Sequence, residues 1–221
     1  YRLQSKLILV STAGLLLLSF LFFQCYEFRL PQWAELSGWE RLNAAAFQAV
    51  TPRTAGFNSV DLTLLSEPGK LVTILLMLVG GSPGSTAGGF KVTTLAVLLH
   101  SARAVFFRCG SPSCFGRRFQ DEALRSASAI FLMYLVFFLL GGTLICCIDG
   151  VPLLDALFES ASAIGTVGLS ICGTPGLSLP SHLILTFLMY VGRVGGLTMI
   201  YAVTSGSPVS SQYPQERVTV G

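Results

Sequence analysis

Four stretches of this chain run almost without charge for close to the thickness of a bilayer: residues 7–23, 71–90, 126–148 and 183–192, the last extending past Arg193 to about residue 204. Crossing ~30 Å of hydrocarbon takes ~20 apolar residues, and only helices or closed barrels satisfy their backbone there. Runs this long cannot be half-buried strands, so the expected class is an all-α, polytopic membrane protein. Composition agrees: 52% of the residues are apolar and only 11% charged, against about a quarter charged in a soluble domain. Arg2 and Lys6 precede the first run in the manner of a secretory leader. Its apolar part is longer than a leader's, however, and Gln24-Cys25-Tyr26-Glu27 is a poor cleavage site.

Charge partition gives an orientation. Arg2, Lys6, Lys91, Arg103, Arg108, Arg117, Arg118 and Arg125 flank the first run and fill the central loop, opposed there only by Asp121 and Glu122. Segments 24–70 and 149–182 carry four basic residues against eight acidic ones. Basic flanks belong in the cytoplasm, which puts loop 100–124 inside and the other two segments outside. The net charge of +3 is then orientation bias rather than a nucleic-acid footprint. The six cysteines match no metal spacing, and the adjacent Cys146 and Cys147 read as apolar packing residues.

A duplication organises the chain. Thr54-Ala55-Gly56-Phe57-Asn58 and Thr166-Val167-Gly168-Leu169-Ser170 are near-copies 112 positions apart. Each follows a short apolar piece and precedes a long one. The first unit (1–99) reads as a helix at about 5–26, a pore helix at 42–53, a turn at 54–58 and a glycine-broken helix at 71–99. A basic loop (100–124) leads to the second unit (125–204), with helices at 125–148, 152–164 and 183–204 around a turn at 166–170, and a tail at 205–221. Apolar pieces too short to span read as re-entrant, and Pro152 suits a first helical turn. Two helix–pore helix–filter–helix repeats would supply two of the four contributions that a carbonyl ring needs, either as half of a four-repeat, pseudo-fourfold pore or as one of two chains that assemble.

The motifs resemble those of the Trk/Ktr/HKT potassium-transporter superfamily. Residues 47–58 look like its third filter motif and residues 158–170 like its fourth. Residues 80–91 are similar to the broken second helix of the third repeat in bacterial subunits, and 192–198 to the second helix of the fourth. The resemblance covers about residues 5–204 and marks the chain as a carboxyl-terminal half. It implies K⁺ uptake across the cell (inner) membrane, a homodimer of complete subunits and a cytosolic nucleotide-binding regulatory ring. It also implies an amino-terminal half preceding this sequence, consistent with a first residue that is not Met. No tightly bound cofactor is expected; K⁺ is cargo.

Roles follow from chemistry. Gly56 and Gly168 tolerate positive φ, so carbonyls of Thr54, Ala55, Gly56, Phe57 and of Thr166, Val167, Gly168, Leu169 can turn toward a common axis and replace a cation's hydration shell. The threonines can add a backbone carbonyl or a hydroxyl oxygen. In the plant branch of the superfamily a serine at the glycine position goes with Na⁺ preference, and neither turn here has one. Arg53, just before the first turn, is expected to brace the filter, with Glu159 its possible partner, since an unpaired buried Arg is costly. Gly80, Gly81, Ser82, Pro83, Gly84, Ser85, Thr86, Ala87, Gly88 and Gly89 would break a helix. The resemblance makes them an intramembrane gate loop, although glycines every four residues also suit helix packing. Arg193, whose counterpart in the first unit is Gly81, is expected to face the cavity, bond the loop and oppose cations; Lys91 reads as a snorkelling charge at a helix end.

Two other readings compete. A sodium-selective or sodium-coupled member of the superfamily would differ in the two filters outside this chain. Gly80-Gly81-Ser82-Pro83-Gly84 also matches Gly-x-Ser-x-Gly, and would make Ser82 the nucleophile of an intramembrane hydrolase with His100 or His182 as base. That chemistry needs a strand–turn–helix setting, and the setting here is a membrane helix. The chain is therefore expected not to be an enzyme.

Overall fold

The computed structural model describes residues 3–108, 112–196 and 198. Seven α-helices carry the architecture among them: α1 Leu3–Cys25, α2 Gly38–Val50, α3 Glu67–Leu78, α4 Val92–Phe106, α5 Asp121–Asp149, α6 Leu153–Ile164 and α7 Leu179–Val194. One two-residue-per-strand hairpin, β1 Ser113–Cys114 and β2 Arg117–Arg118, sits between α4 and α5. The all-α expectation holds. Two helical segments are long and apolar enough to cross a membrane: Leu3–Arg29, with mean hydropathy 2.2, and Asp121–Asp149, with 2.5.

Local signals explain the ends. Ser37 and Glu40 form a reciprocal capping box at the start of α2, which satisfies two otherwise orphan backbone donors. Ser66 caps α3 by accepting from Gly69 N, with Pro68 in the first turn. Gly150, at φ 66°, closes α5 in the left-handed conformation. The expected loop 100–124 is shorter than its range: residues 100–106 continue α4, and Asp121 and Glu122 open α5, where two carboxylates favour a helix N-terminus. Helix 71–99 is divided outright, with non-helical backbone from Val79 to Lys91. The pore helix expected at 42–53 starts four residues earlier, at the Ser37 cap, and ends three earlier, because Thr51 to Ala55 turn away from the axis. Of the helix expected at 183–204, the part beyond residue 198 lies outside the described residues, as does the tail.

The core is centred on α6. Ala156, Phe158, Glu159, Ser160, Ala161, Ser162, Ala163 and Ile164 are all buried, and α6 packs on α3, α5 and α7. Small residues make that close approach possible, as between membrane helices. A β-carbon on Gly142 of α5 would come within 2.6 Å of Leu157, and one on Gly165 within 2.5 Å of Met77 O in α3. Ser160 Oγ donates to Phe138 O at 2.8 Å, tying α6 to α5. In the other unit α2 packs on α1.

An ion pair that the sequence did not reveal crosses between the units. Lys70 Nζ in α3 lies 2.7 Å from Asp155 Oδ1 in α6, with the two side chains 11% and 17% exposed. Glu67 stands 3.5 Å away on the solvent side. Removing one member of so enclosed a pair strands the other. Lys70→Met is expected to lower stability by about 3 kcal/mol, and the double change Lys70→Met with Asp155→Leu by much less. Thermal unfolding in detergent reads the difference, and equal losses would disprove the coupling.

Candidate functional site: two glycine turns above a glycine-rich loop

Both turns have the same backbone. Thr54 and Gly56 have φ of 63° and 74°, and Thr166 and Gly168 have 51° and 93°, while Ala55 and Val167 between them keep negative φ. Only four non-glycine residues with positive φ occur among the described residues, and two are these threonines. A β-branched residue in that region is strained by roughly 1–3 kcal/mol, so its occurrence twice at the same repeat position signals a constraint. An alternation of positive and negative φ lets consecutive peptide planes turn the same way. Carbonyls turned to one side are what a site for a dehydrated cation would need.

The two turns touch. A β-carbon built on Gly56 would lie 2.0 Å from Val167 O and 3.8 Å from Gly168 Cα. Glycine is required at 56 both by its φ and by this approach.

The supports differ between the turns. In the second, Val167 N donates to Ser162 O at 2.9 Å and Gly168 N to Ser162 Oγ at 3.2 Å. Glu159, 3% exposed, accepts at one oxygen from Ser170 Oγ (2.7 Å), Ile171 N (2.8 Å) and Cys172 N (3.1 Å). Its carboxylate thus holds the strand leaving the turn. Burial, reinforced by the nearby Glu159 and Asp155 carboxylates, pushes the Cys172 thiol up to about 11, so it stays neutral. In the first turn Thr51 supports the backbone instead, with Oγ1 donating to Phe57 O at 2.6 Å and its carbonyl accepting from Ala55 N and Gly56 N, each at 3.2 Å.

Arg53 and Glu159 are not partners. Arg53 Nη2 donates to Gly80 O at 3.1 Å, so it joins the first turn to the start of the glycine-rich loop, while Glu159 is saturated by its own unit. Position within the chain placed each beside a filter turn but could not say across which interface each side chain reaches. The threonine hydroxyls are also spoken for: Thr54 Oγ1 donates to Arg53 O, and Thr166 Oγ1 accepts from Gly88 N at 3.0 Å. Both hydroxyls are thus engaged within the protein.

Residues 80–89 form an irregular loop rather than a helix-packing surface. Its two ends pair, with Gly80 N donating to Phe90 O (2.9 Å) and Phe90 N to Leu78 O (3.1 Å). The returning limb presses against the second turn. Gly89 N donates to Ile164 O at 3.1 Å, and a β-carbon on Gly88 would meet Thr166 Oγ1 at 2.5 Å. Arg193 Nη1, from α7, donates to Thr86 O. Lys91 is not merely a snorkelling end charge: its ammonium donates to Ala87 O (2.6 Å) and Ser85 O (3.4 Å). Two cations therefore hold three successive carbonyls of the loop. In the sequence Lys91 looks like a helix-end charge because it follows the glycines, where a helix end and a loop clamp look alike.

Arg193 also joins two cavities. One, of about 560 Å³, is lined by Glu159, Ser162, Thr166, Val167, Gly168 and Tyr190. The other, of about 520 Å³, is lined by the loop, Lys91 and Tyr134. As for the hydrolase reading, Ser82 lies in this loop, whereas His182 Nε2 meets Thr174 O at 2.9 Å and His100 lies beside Phe119.

Comparison with known proteins decides the family. A family model described as a cation transport protein, TrkH, matches residues 3–212. The chain belongs to the TrkH family. Relatives include a potassium/sodium uptake protein NtpJ of Enterococcus hirae, 35% identical over 99% of this chain and 50% of that protein. The Ktr system potassium uptake protein B of Bacillus subtilis is 34% identical over 100% of the chain and 50% of its own length. The chain thus spans about half the length of the curated relatives it matches. In fold it is similar to the crystal structure of the potassium transporter TrkH from Vibrio parahaemolyticus, with a TM-score of 0.68 and 20% identity over 91% of this chain and 44% of that one. The TrkH family is one of membrane transporters, not enzymes, which disposes of Ser82 as a nucleophile.

Proposed function

We propose that this TrkH-family chain supplies two of the four quarters of a K⁺-uptake pore. The observation that carries the reading is the matched backbone of Thr54–Gly56 and Thr166–Gly168, left-handed at the same repeat positions and in contact at Gly56 and Val167. Such turns offer carbonyl oxygens in place of water, and two further turns from a preceding half of the subunit complete the ring. The loop at 80–89, held by Arg193 and Lys91, closes the path beneath the filter. A guanidinium and an ammonium there oppose a passing cation until the loop withdraws. Flow follows the membrane potential, worth ~2.3 kcal/mol per charge per 100 mV. The filter faces outward and the basic loop the cytoplasm of the cell (inner) membrane. Complete subunits pair as homodimers, and a cytosolic nucleotide-binding ring acts on the loop; this part rests on the superfamily resemblance.

The test is complementation. A full-length version is expected to restore growth of a K⁺-uptake-deficient strain at low external K⁺. Absence of growth with the protein present in the membrane refutes the proposal. One observation favours a second reading: a relative covering nearly the whole chain is named a potassium/sodium uptake protein. Uptake of Na⁺ matching that of the K⁺ tracer Rb⁺ in the same cells would select it.

A further inference from the structure

α1, α4 and the β1–β2 hairpin line a cavity of about 400 Å³, to which neither glycine turn contributes a residue. Its inner wall is apolar, made by Leu7, Val10 and Ala104, and its polar lining is Ser11, His100, Arg103 and Ser113, with no acidic residue. Phe115, at the hairpin turn, forms another side, and the Lys6 ammonium stands 5.9 Å from its ring centre. That contact brings a second basic side chain, from α1, beside the hairpin turn that walls the cavity. Farther along the same face, α1 continues with uncovered apolar side chains, Leu17 and Leu18, each about three-fifths exposed or more.

A cationic mouth opening onto an apolar slot, which runs on into an apolar helix face, has the polarity of an amphiphile with an anionic head. A soluble anion would use the mouth and leave the slot empty. A zwitterionic lipid would present its phosphate too, but would also bring its headgroup cation to a basic mouth whose lining has no carboxylate to receive it. Basic pockets between membrane helices on the side that carries the Lys and Arg excess suit phosphate-bearing headgroups.

We propose that this cavity binds the headgroup of an anionic glycerophospholipid from the leaflet on the basic side. Arg103 and Lys6 face its phosphate, His100 and Ser113 donate hydrogen bonds to it, and the first acyl carbons lie on Leu7 and Val10. The lipid staples the hairpin to α1 and α4, and the cavity's lining includes no residue of either glycine turn or of the loop at 80–89.

The experiment uses the purified full-length subunit in detergent, titrated separately with short-chain phosphatidylglycerol, short-chain phosphatidylcholine and sodium phosphate, with binding read by thermal shift and native mass spectrometry. Phosphatidylglycerol is expected to bind at least fivefold more tightly than phosphatidylcholine, and Arg103→Gln to weaken it about fivefold while K⁺ uptake persists. Arg108→Gln, in the same basic segment but outside the cavity, leaves binding unchanged. Val10→Trp, which fills the slot at an exposed position and leaves the charges intact, abolishes it. Three outcomes overturn the proposal: unchanged affinity in both Arg103→Gln and Val10→Trp, equal weakening by Arg103→Gln and Arg108→Gln, or full stabilisation by phosphate alone, which assigns the cavity to a free ion.

Discussion

Gly56→Ala is expected to abolish the K⁺ uptake proposed for the full-length subunit, whereas Gly168→Ala is expected to leave a folded protein with reduced uptake and poorer discrimination against Na⁺. The two glycines occupy equivalent turns and share positive φ, so sequence alone assigns them equal weight. The structure separates them. The alanine methyl at 56 would sit 2.0 Å from Val167 O, and that oxygen belongs to the backbone of the neighbouring turn. No rotamer change relieves the clash, so one filter strand must move off the axis. At 168 nothing lies within 4 Å of the added carbon, and the cost reduces to holding alanine at φ 93°, roughly 1–2 kcal/mol. Rb⁺ uptake into a deficient strain, normalised to protein in the membrane, is expected to fall more than a hundredfold for the first variant and by about tenfold or less for the second. Equal losses would show that the contact between the turns is not part of the conducting structure.

Excision of residues 82–87 is expected to raise K⁺ leak through the reconstituted full-length subunit by at least tenfold. The loop can be shortened without pulling on its helices, because its ends already meet: Gly80 N bonds Phe90 O, and a β-carbon on Gly80 would overlap Gly88 O. What the deletion removes is the set of carbonyls at Ser85, Thr86 and Ala87 that Lys91 and Arg193 hold. Hydrogen bonds from charged donors contribute about 1.5–3 kcal/mol each, and one such bond corresponds to a factor of ten or more in the fraction of open loops. Arg193→Gln or Lys91→Gln alone should therefore open the path part of the way, and the pair more than either. K⁺ efflux from proteoliposomes measures all four proteins. Leak unchanged by the deletion removes the loop from the gate.

Much of this was legible in the residues. Uncharged runs of bilayer length admit only helices, the 112-residue offset exposed two equivalent turns, and five glycines with a proline over residues 80–89 broke a helix where the structure breaks it. Each is a local property: backbone satisfaction in lipid, φ freedom, loss of an i→i−4 donor. Partners over longer range were not legible. Arg53 and Glu159 flank the two turns and have opposite charge, yet one reaches Gly80 and the other the strand from Ser170 to Cys172. Lys70 and Asp155 are 85 residues apart and look like ordinary helix-end charges until α3 lies against α6. The left-handed threonines were hidden too, because a β-branched residue gives no sign of positive φ and adopts it only when its surroundings compensate.

By itself, then, the order of residues determined the class, the pair of turns and the place of the break, since each follows from what a short segment can do in hydrocarbon. Which carbonyl meets which turn, and which cation holds which loop, was decided only when α6 was packed between α3 and α7, because such contacts depend on distances between segments that no local rule encodes.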